Sequence, residues 1–191
     1  MPTTGAEGRA DFRPIETPRL ILRRLELSDA RMVEHLAGAI EVARTTANVP
    51  HPYPQGLAER WIRSTHAPLS SGMSIQLGLS LRTDGTLVGA IALVRDPPGT
   101  GGQIGYWLGL PWWGEGYMTE AVGAILDHAG QAMNLDHVIA EVFIGNVAST
   151  RVLEKTGFEF IGEADRDLPL RGGRKQVKRF ERRLSGQGPR S

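Results

Sequence analysis

The stretch "IGYWLGLPWWGEGYMTEAVGAILDHAG" (104–130) constrains this chain more than any other. A strand-like run passes directly into two tryptophans and two closely spaced glycines. Ala121, Val122, Ile125, Leu126, Ala129 and Met133 then recur at three- and four-residue steps, and that spacing predicts a helix over about 117–133. Glycines at 114 and 116 let successive backbone N–H groups point inward, and a helix N-terminus adds partial positive charge. Such a loop is either a plain turn or an anion cradle, and the glycines alone do not choose. Two phosphate-binding devices are poor matches. No lysine follows the glycines as a P-loop requires, and Thr119 stands where a dinucleotide fingerprint needs its third glycine.

The segments on either side indicate a sheet flanked by helices. "RLILRRLEL" (19–27) reads as a strand, after which Ser28 is expected to cap a helix through about Ala39, with Asp29 in its first turn. Three prolines in "NVPHPYPQG" (48–56) make a stiff extended loop. A helix follows with Leu57, Trp61 and Ile62 on one face. "MSIQLGLSLR" (73–82) and "LVGAIALVR" (87–95) are strands joined by "TDGT". "HVIAEVFI" (137–144) is a short apolar strand, Asn146 caps a helix that Gly157 ends, and "GFEFIGE" begins another strand. One last strand is expected near the C-terminus. Consecutive strands flanked by helices predict a single α/β (α+β) domain over 17–184. Its sheet would be mixed and mostly antiparallel, with about six to seven strands and about four helices. Residues 1–16 and 185–191 read as flexible tails.

Composition excludes several chemistries. With no cysteine among 191 residues, the chain has no disulfide, no thiolate nucleophile and no thiolate metal site, and its five scattered histidines suggest no metal. No apolar run approaches membrane-spanning length and the N-terminus lacks a signal-like core, so a cytoplasmic protein without a membrane partner is expected. A net charge of +1 gives no case for nucleic acid. The charge is uneven, however. "RGGRKQVKRFERR" (171–183) carries seven basic residues against Glu181, either a solvated hairpin or a patch for an anionic ligand or partner.

Four pieces in order, "TPRLILRRLELSDA" (17–30), "PHPYP" (50–54), "IGYWLGLPWWGEGYMTEA" (104–121) and "NVASTRVLEKTGF" (146–158), give the chain a resemblance to a known family. It resembles the GNAT acetyltransferases and, within them, the RimJ/RimL-type branch that includes ribosomal-protein N-terminal acetyltransferases. The resemblance implies acetyl-CoA as donor. Backbone amides of Gly114, Glu115, Gly116, Tyr117, Met118 and Thr119 would cradle the diphosphate. The preceding strand, through Trp107, Leu108 and Leu110, would pair with the pantetheine arm. Asn146 would hold the pantetheine while also serving as a helix cap, and Arg151 on the same helix is placed with the donor. Pro111 departs from the general superfamily motif but suits the branch. Glu115 stands where the branch more often has a basic or neutral residue, so its side chain is expected to face solvent.

The resemblance implies direct attack of an amine, which fits a chain with no cysteine to carry an acyl group, and a backbone N–H near Leu108 would stabilise the oxyanion. Many GNAT enzymes protonate the leaving thiolate with a tyrosine, but Leu153 occupies that position here. Ser149, one turn earlier, takes the place where the branch has a serine. Glu141, inside "VIAEVF", is the candidate base if desolvation raises its pKa. It could equally be a strand carboxylate paired with an arginine. Glu120 reads as structural, Gln103 cannot accept a proton, and water-relayed deprotonation stays open. His51 and Tyr53 would sit over the acceptor entrance, or the loop is only a stiff connector. His128 and His137 read as structural. The acceptor is open between a protein N-terminal α-amine and a small amine such as an antibiotic, amino acid or polyamine. A non-catalytic CoA-binding module on the same fold is the alternative from another class, and a homodimer stays open.

Overall fold

Eight strands form one sheet in the order β1-β2-β3-β4-β5-β6-β8-β7. They are β1 (Ile15–Glu16), β2 (Leu20–Arg23), β3 (Ser74–Leu81), β4 (Leu87–Arg95), β5 (Gly101–Leu108), β6 (His137–Phe143), β7 (Glu159–Leu168) and β8 (Gly173–Arg183). Five α-helices, α1 (Ala30–Ala37), α2 (Ile40–Ala43), α3 (Leu57–Ser70), α4 (Tyr117–Gln131) and α5 (Val147–Lys155), complete the described fold. This computed structural model describes residues 12–70, 74–97 and 99–184, without the side chains of 67–70. Most of both expected tails, and Met73 at the start of an expected strand, lie outside the described residues. The fold is the α/β mixed sheet that the sequence predicted. It has one strand more than the upper expectation because Ile15–Glu16 pairs with Ile21–Leu22.

Every neighbouring pair is antiparallel except β5 and β6, which run parallel. That pairing covers only Gly101–Ile104 against His137–Ala140. Beyond Ile104 the two strands diverge, and β5 keeps its other partner, β4, through Leu108. The result is a splay at the middle of the sheet with an unpaired β5 edge along Gly105–Leu108.

Side-chain alternation sends the two faces of the sheet to different helices. Ile104 and Leu108 of β5, with Val138, Ala140 and Val142 of β6, join Met118, Ala121, Val122, Ile125 and Leu153 in the main core under α4 and α5. On the other face, Leu25, Val33, Ala58, Ile62 and Leu87 form a smaller cluster with Tyr53, Trp61 and Trp107. The helix after β2 starts differently from expectation. Ser28 lies in a 3-10 turn spanning Leu27–Asp29 and does not cap. Asp29 stands at the helix start, but its carboxylate turns back to the 3-10 turn, accepting from Glu26 N (2.8 Å) and from both terminal nitrogens of Arg23 (2.8 and 2.9 Å). The two oxygens of a carboxylate accept these three donors at once, one more than the lone pairs of a hydroxyl allow, so Asp29 closes the turn.

Candidate active site

The glycine loop takes its shape from backbone conformations closed to most side chains. Gly114 (φ 83°) and Gly116 (φ 80°) both sit in the left-handed region, which glycine enters at no steric cost. Gly116 is the N-cap of α4, and no side chain caps the helix. The first-turn N–H groups therefore stay available, and the helix dipole favours an anion in front of them. Glu115 is exposed, as expected, and its carbonyl accepts from Arg19 Nη1 at 2.9 Å.

Behind the loop, Glu120 is a structural brace. It accepts from Thr17 Oγ1 (2.6 Å), Arg19 N (2.8 Å) and Arg19 Nε (2.7 Å), joining the start of α4 to the entry of β2. Arg19 also lies over the Tyr117 ring at 4.4 Å, a cation–π contact. Burial pushes the Glu120 carboxyl up, but the hydrogen bonds from Thr17 and Arg19 together hold it below its ordinary value.

In front of the loop opens a cavity of about 990 Å³, spanning the splay and both faces of the sheet there. That size suits a ligand of cofactor dimensions. It is lined by Trp107, Leu108, Gly114, Gly116, Tyr117, Met118, Thr119, Asn146, Ser149, Arg151, Glu141 and Tyr53, all expected from the sequence. Leu110, Glu115 and His51 are not among its lining residues. The His51 Nδ1–H instead donates to Gly38 O at 2.8 Å. Gly109 N donates to Val88 O across the β4–β5 ladder at 2.8 Å, so alternation turns the Leu108 N–H to the opposite edge, into the splay. The Trp113 indole N–H fixes this corner by donating to Leu108 O at 2.6 Å.

Asn146 is the side-chain cap of α5, its Oδ1 accepting from Ser149 N at 3.2 Å. Ser149 in turn has a partner the sequence reading missed. The Tyr106 hydroxyl lies 2.9 Å from Ser149 Oγ. Burial pushes the Tyr106 phenol up to about 12, and the Ser149 hydrogen bond lowers it only in part. Its sequence signal was modest: Tyr106 shares the alternation of Ile104 and Leu108, yet a tyrosine there needs a buried partner for its hydroxyl. Leu153 is fully buried in the main core.

Of the two readings of Glu141, the structure has the strand carboxylate paired with an arginine and not the unpaired, desolvated base. Its Oε2 accepts from Arg166 Nε at 2.9 Å, its Oε1 accepts from Arg166 Nη2, and Arg179 Nε lies 3.5 Å from Oε1. The register explains this. Arg179 of β8 stands opposite Glu141, and β7 carries Arg166 on the same face. Gln103 also lines the cavity, and Glu141 is its one carboxylate among the described residues. His128 packs edge-on to Phe12 at 5.8 Å, and no metal-ligating group occurs among the described residues.

The basic segment is largely engaged internally. Arg174 pairs with Asp165 (3.0 Å), Arg183 with Glu181 (3.5 Å), and Arg171 donates to three backbone carbonyls across the cavity. Two of those carbonyls, of Thr46 and Val49, belong to a wall over Thr45–Pro50, of which the sequence reading identified only the proline-rich end from 48.

Residues 19–159 match the family described as "Acetyltransferase (GNAT) domain". The "Probable N-acetyltransferase YjcK" of Bacillus subtilis is 35% identical over 97 residues, covering 50% of this chain and 54% of that protein. The chain thus matches about half the length of this relative. Two solved structures share the fold. One is RimL, a ribosomal alpha-N-protein acetyltransferase in complex with coenzyme A, with a TM-score of 0.81, 17% identity, and 92% and 100% of the two chains covered. The other is the microcin self-immunity acetyltransferase MccE in complex with acetyl-CoA and AMP, with a TM-score of 0.78, 16% identity, and coverage of 88% and 94%. Since the match runs unbroken from Arg19 through the glycine loop to the helix that carries Ser149, this chain belongs to the GNAT acetyltransferases.

Proposed function

We propose that the protein transfers an acetyl group from acetyl-CoA to a primary amine by direct attack, and that the favoured acceptor is an α-amine such as a protein N-terminus. The observation carrying the acceptor class is the Glu141–Arg166 pair. The cavity's one described carboxylate is already engaged by a guanidinium, leaving no free strong base beside the splay. An α-amine (pKa roughly 8) is about one-tenth neutral at pH 7, whereas a lysine amine (about 10.4) is neutral about once in 2,500 molecules. A site with water-relayed deprotonation therefore serves α-amines far better.

In this reading the glycine-loop N–H groups hold the donor's diphosphate, and Asn146 and the free edge of β5 align its arm. The Leu108 N–H meets the developing oxyanion. Ser149 donates its hydroxyl proton in a hydrogen bond to the leaving sulfur. Tyr106 donates into Ser149 Oγ and fixes its orientation. Outright transfer of the Tyr106 proton to a thiolate is uphill by about 5 kcal/mol, given a phenol near 12 and a thiol near 8.5. Tyr106 thus acts as a positioning donor and not as the acid. Glu141 orients the water that accepts the amine proton. Protons balance: the amine gives one to the water and on to solvent as the amide forms, and the thiolate, stabilised by the Ser149 hydrogen bond, takes one from solvent.

Thiol release from acetyl-CoA, measured over a panel of N-terminal peptides, lysine side-chain amines and small amines, tests this. Faster turnover on α-amines is expected. Preference for lysine or polyamine acceptors would overturn the acceptor class, and acetyl-CoA binding without turnover on any amine would favour a non-catalytic module. Ser149→Ala should lower turnover while leaving acetyl-CoA affinity nearly intact.

A further inference from the structure

Two parts of the long β7–β8 hairpin do different work. Its strands supply Arg166 and Arg179 to Glu141, whereas the tip reaches a separate segment of the chain. The tip is built by "PLRGG" (169–173): Pro169–Arg171 forms a 3-10 turn, and Gly172 (φ 79°) and Gly173 (φ 93°) reverse the chain through conformations that favour glycine. This turn carries Arg171 toward the segment after α2. Its Nε donates to Thr46 O at 2.7 Å, and its Nη2 donates to Ala43 O at 2.5 Å and to Val49 O. These partners lie 122 to 128 residues away in sequence. Residues 45–50 belong to no strand or helix, yet they form a wall of the cavity on the side of Tyr53, Leu57 and Trp61. Carbonyls at positions 43, 46 and 49 recur every three residues, and the planar fork of a guanidinium spans them where a lysine ammonium offers only a point donor.

We propose that Arg171 is a positioning residue for the acceptor: it holds residues 43–50 as the acceptor-side wall and so sets amine affinity and selectivity without touching the donor site. The assignment rests on the transferase reading for its kinetic consequence, but the wall itself can be read without turnover. Arg171 contacts no reacting atom. It acts through the backbone it fastens.

The test compares the full chain with Arg171→Ala, Arg171→Lys and, as a surface control, Arg174→Ala, by backbone amide hydrogen exchange and by steady-state kinetics on the best amine of the panel. Exchange across 43–50 is expected to quicken at least tenfold in both Arg171 variants and to stay unchanged in the control, with the glycine loop at 114–120 unchanged throughout. Acceptor KM should rise about tenfold while KM for acetyl-CoA stays within twofold. Unchanged exchange at 43–50 in Arg171→Ala overturns the proposal. So does full retention by Arg171→Lys, or equal loosening of 114–120, which would indicate a general structural role. Should Arg171→Ala fail to fold, Arg171→Lys keeps the charge and decides the matter on the same readout. A parent chain that binds no acetyl-CoA would refute the transferase reading and leave the exchange comparison standing.

Discussion

The two walls of the cavity are each fastened by one arginine, and the fastenings are chemically different. On the glycine-loop side, Arg19 works with a carboxylate. Glu120 gathers the Arg19 backbone and side chain together with Thr17, and Arg19 reaches on to Glu115 O. On the opposite side, Arg171 has only carbonyl partners, and burial pulls its guanidinium below the usual value with no acid to raise it. The first wall belongs to a helix start and a strand, so its backbone is already ordered. The second is an irregular segment with local turn bonds at Thr45 and Thr46, which Arg171 ties to the hairpin tip. In the proposed function the first wall presents backbone amides to the donor, which suits the rigid arrangement, and the second faces the acceptor, which suits the separable one.

The largest expected effect comes from breaking the first wall at its backbone. Gly116→Val forces a β-branched residue into the left-handed region, at a cost above the roughly 1–2 kcal/mol of an ordinary residue, and so shifts the loop backbone. Acetyl-CoA Kd measured by calorimetry should rise tenfold or more, while amide exchange at 43–50 stays unchanged. Loss of donor affinity and of that wall together would erase the distinction between the two.

Removing the carboxylate comes next. Glu120→Ala removes three hydrogen bonds from Thr17 and Arg19, and should cost about 2–3 kcal/mol of folding stability, discounted here because the Arg19 side chain is 45% exposed. Chemical denaturation of parent and variant checks this, and a change under 0.5 kcal/mol would deny Glu120 its bracing role.

Where the walls meet, Tyr106→Phe keeps the packing but deletes the hydrogen bond to Ser149 Oγ. One such bond is worth about 1 kcal/mol, so kcat should fall about fivefold with KM for acetyl-CoA unchanged. Wild-type kcat in the variant would leave Ser149 correctly placed by its helix alone.

Acid sensitivity separates the two fastenings by the smallest margin. Glu120 is held below its ordinary 4.5, so its contribution is fully present above that value and is lost as pH falls through the lower folded value. Arg171 stays charged throughout. Amide exchange followed below pH 4.5 should therefore loosen 114–120 before 43–50, and simultaneous loosening would contradict the contrast.

Much of this protein was legible in its residues. Periodicity placed α4, and "WWGEGYMTEA" marked a glycine loop running into a helix start, because local backbone conformation is written in local residue types. Even so, Ser28 looked like a cap and was not, since Asp29 could serve Arg23 and the turn at once. The sequence by itself determined the order of the main elements, without β1 and α2, the glycine loop and the α/β sheet. Only the tertiary structure decided that Glu141 meets Arg166, that Tyr106 meets Ser149, and that Arg171 reaches Ala43, 128 residues away. Those pairings depend on strand register and on where a hairpin tip lands, and long-range geometry of that kind is set by the packed sheet as a whole and not by the residues on either side of each partner.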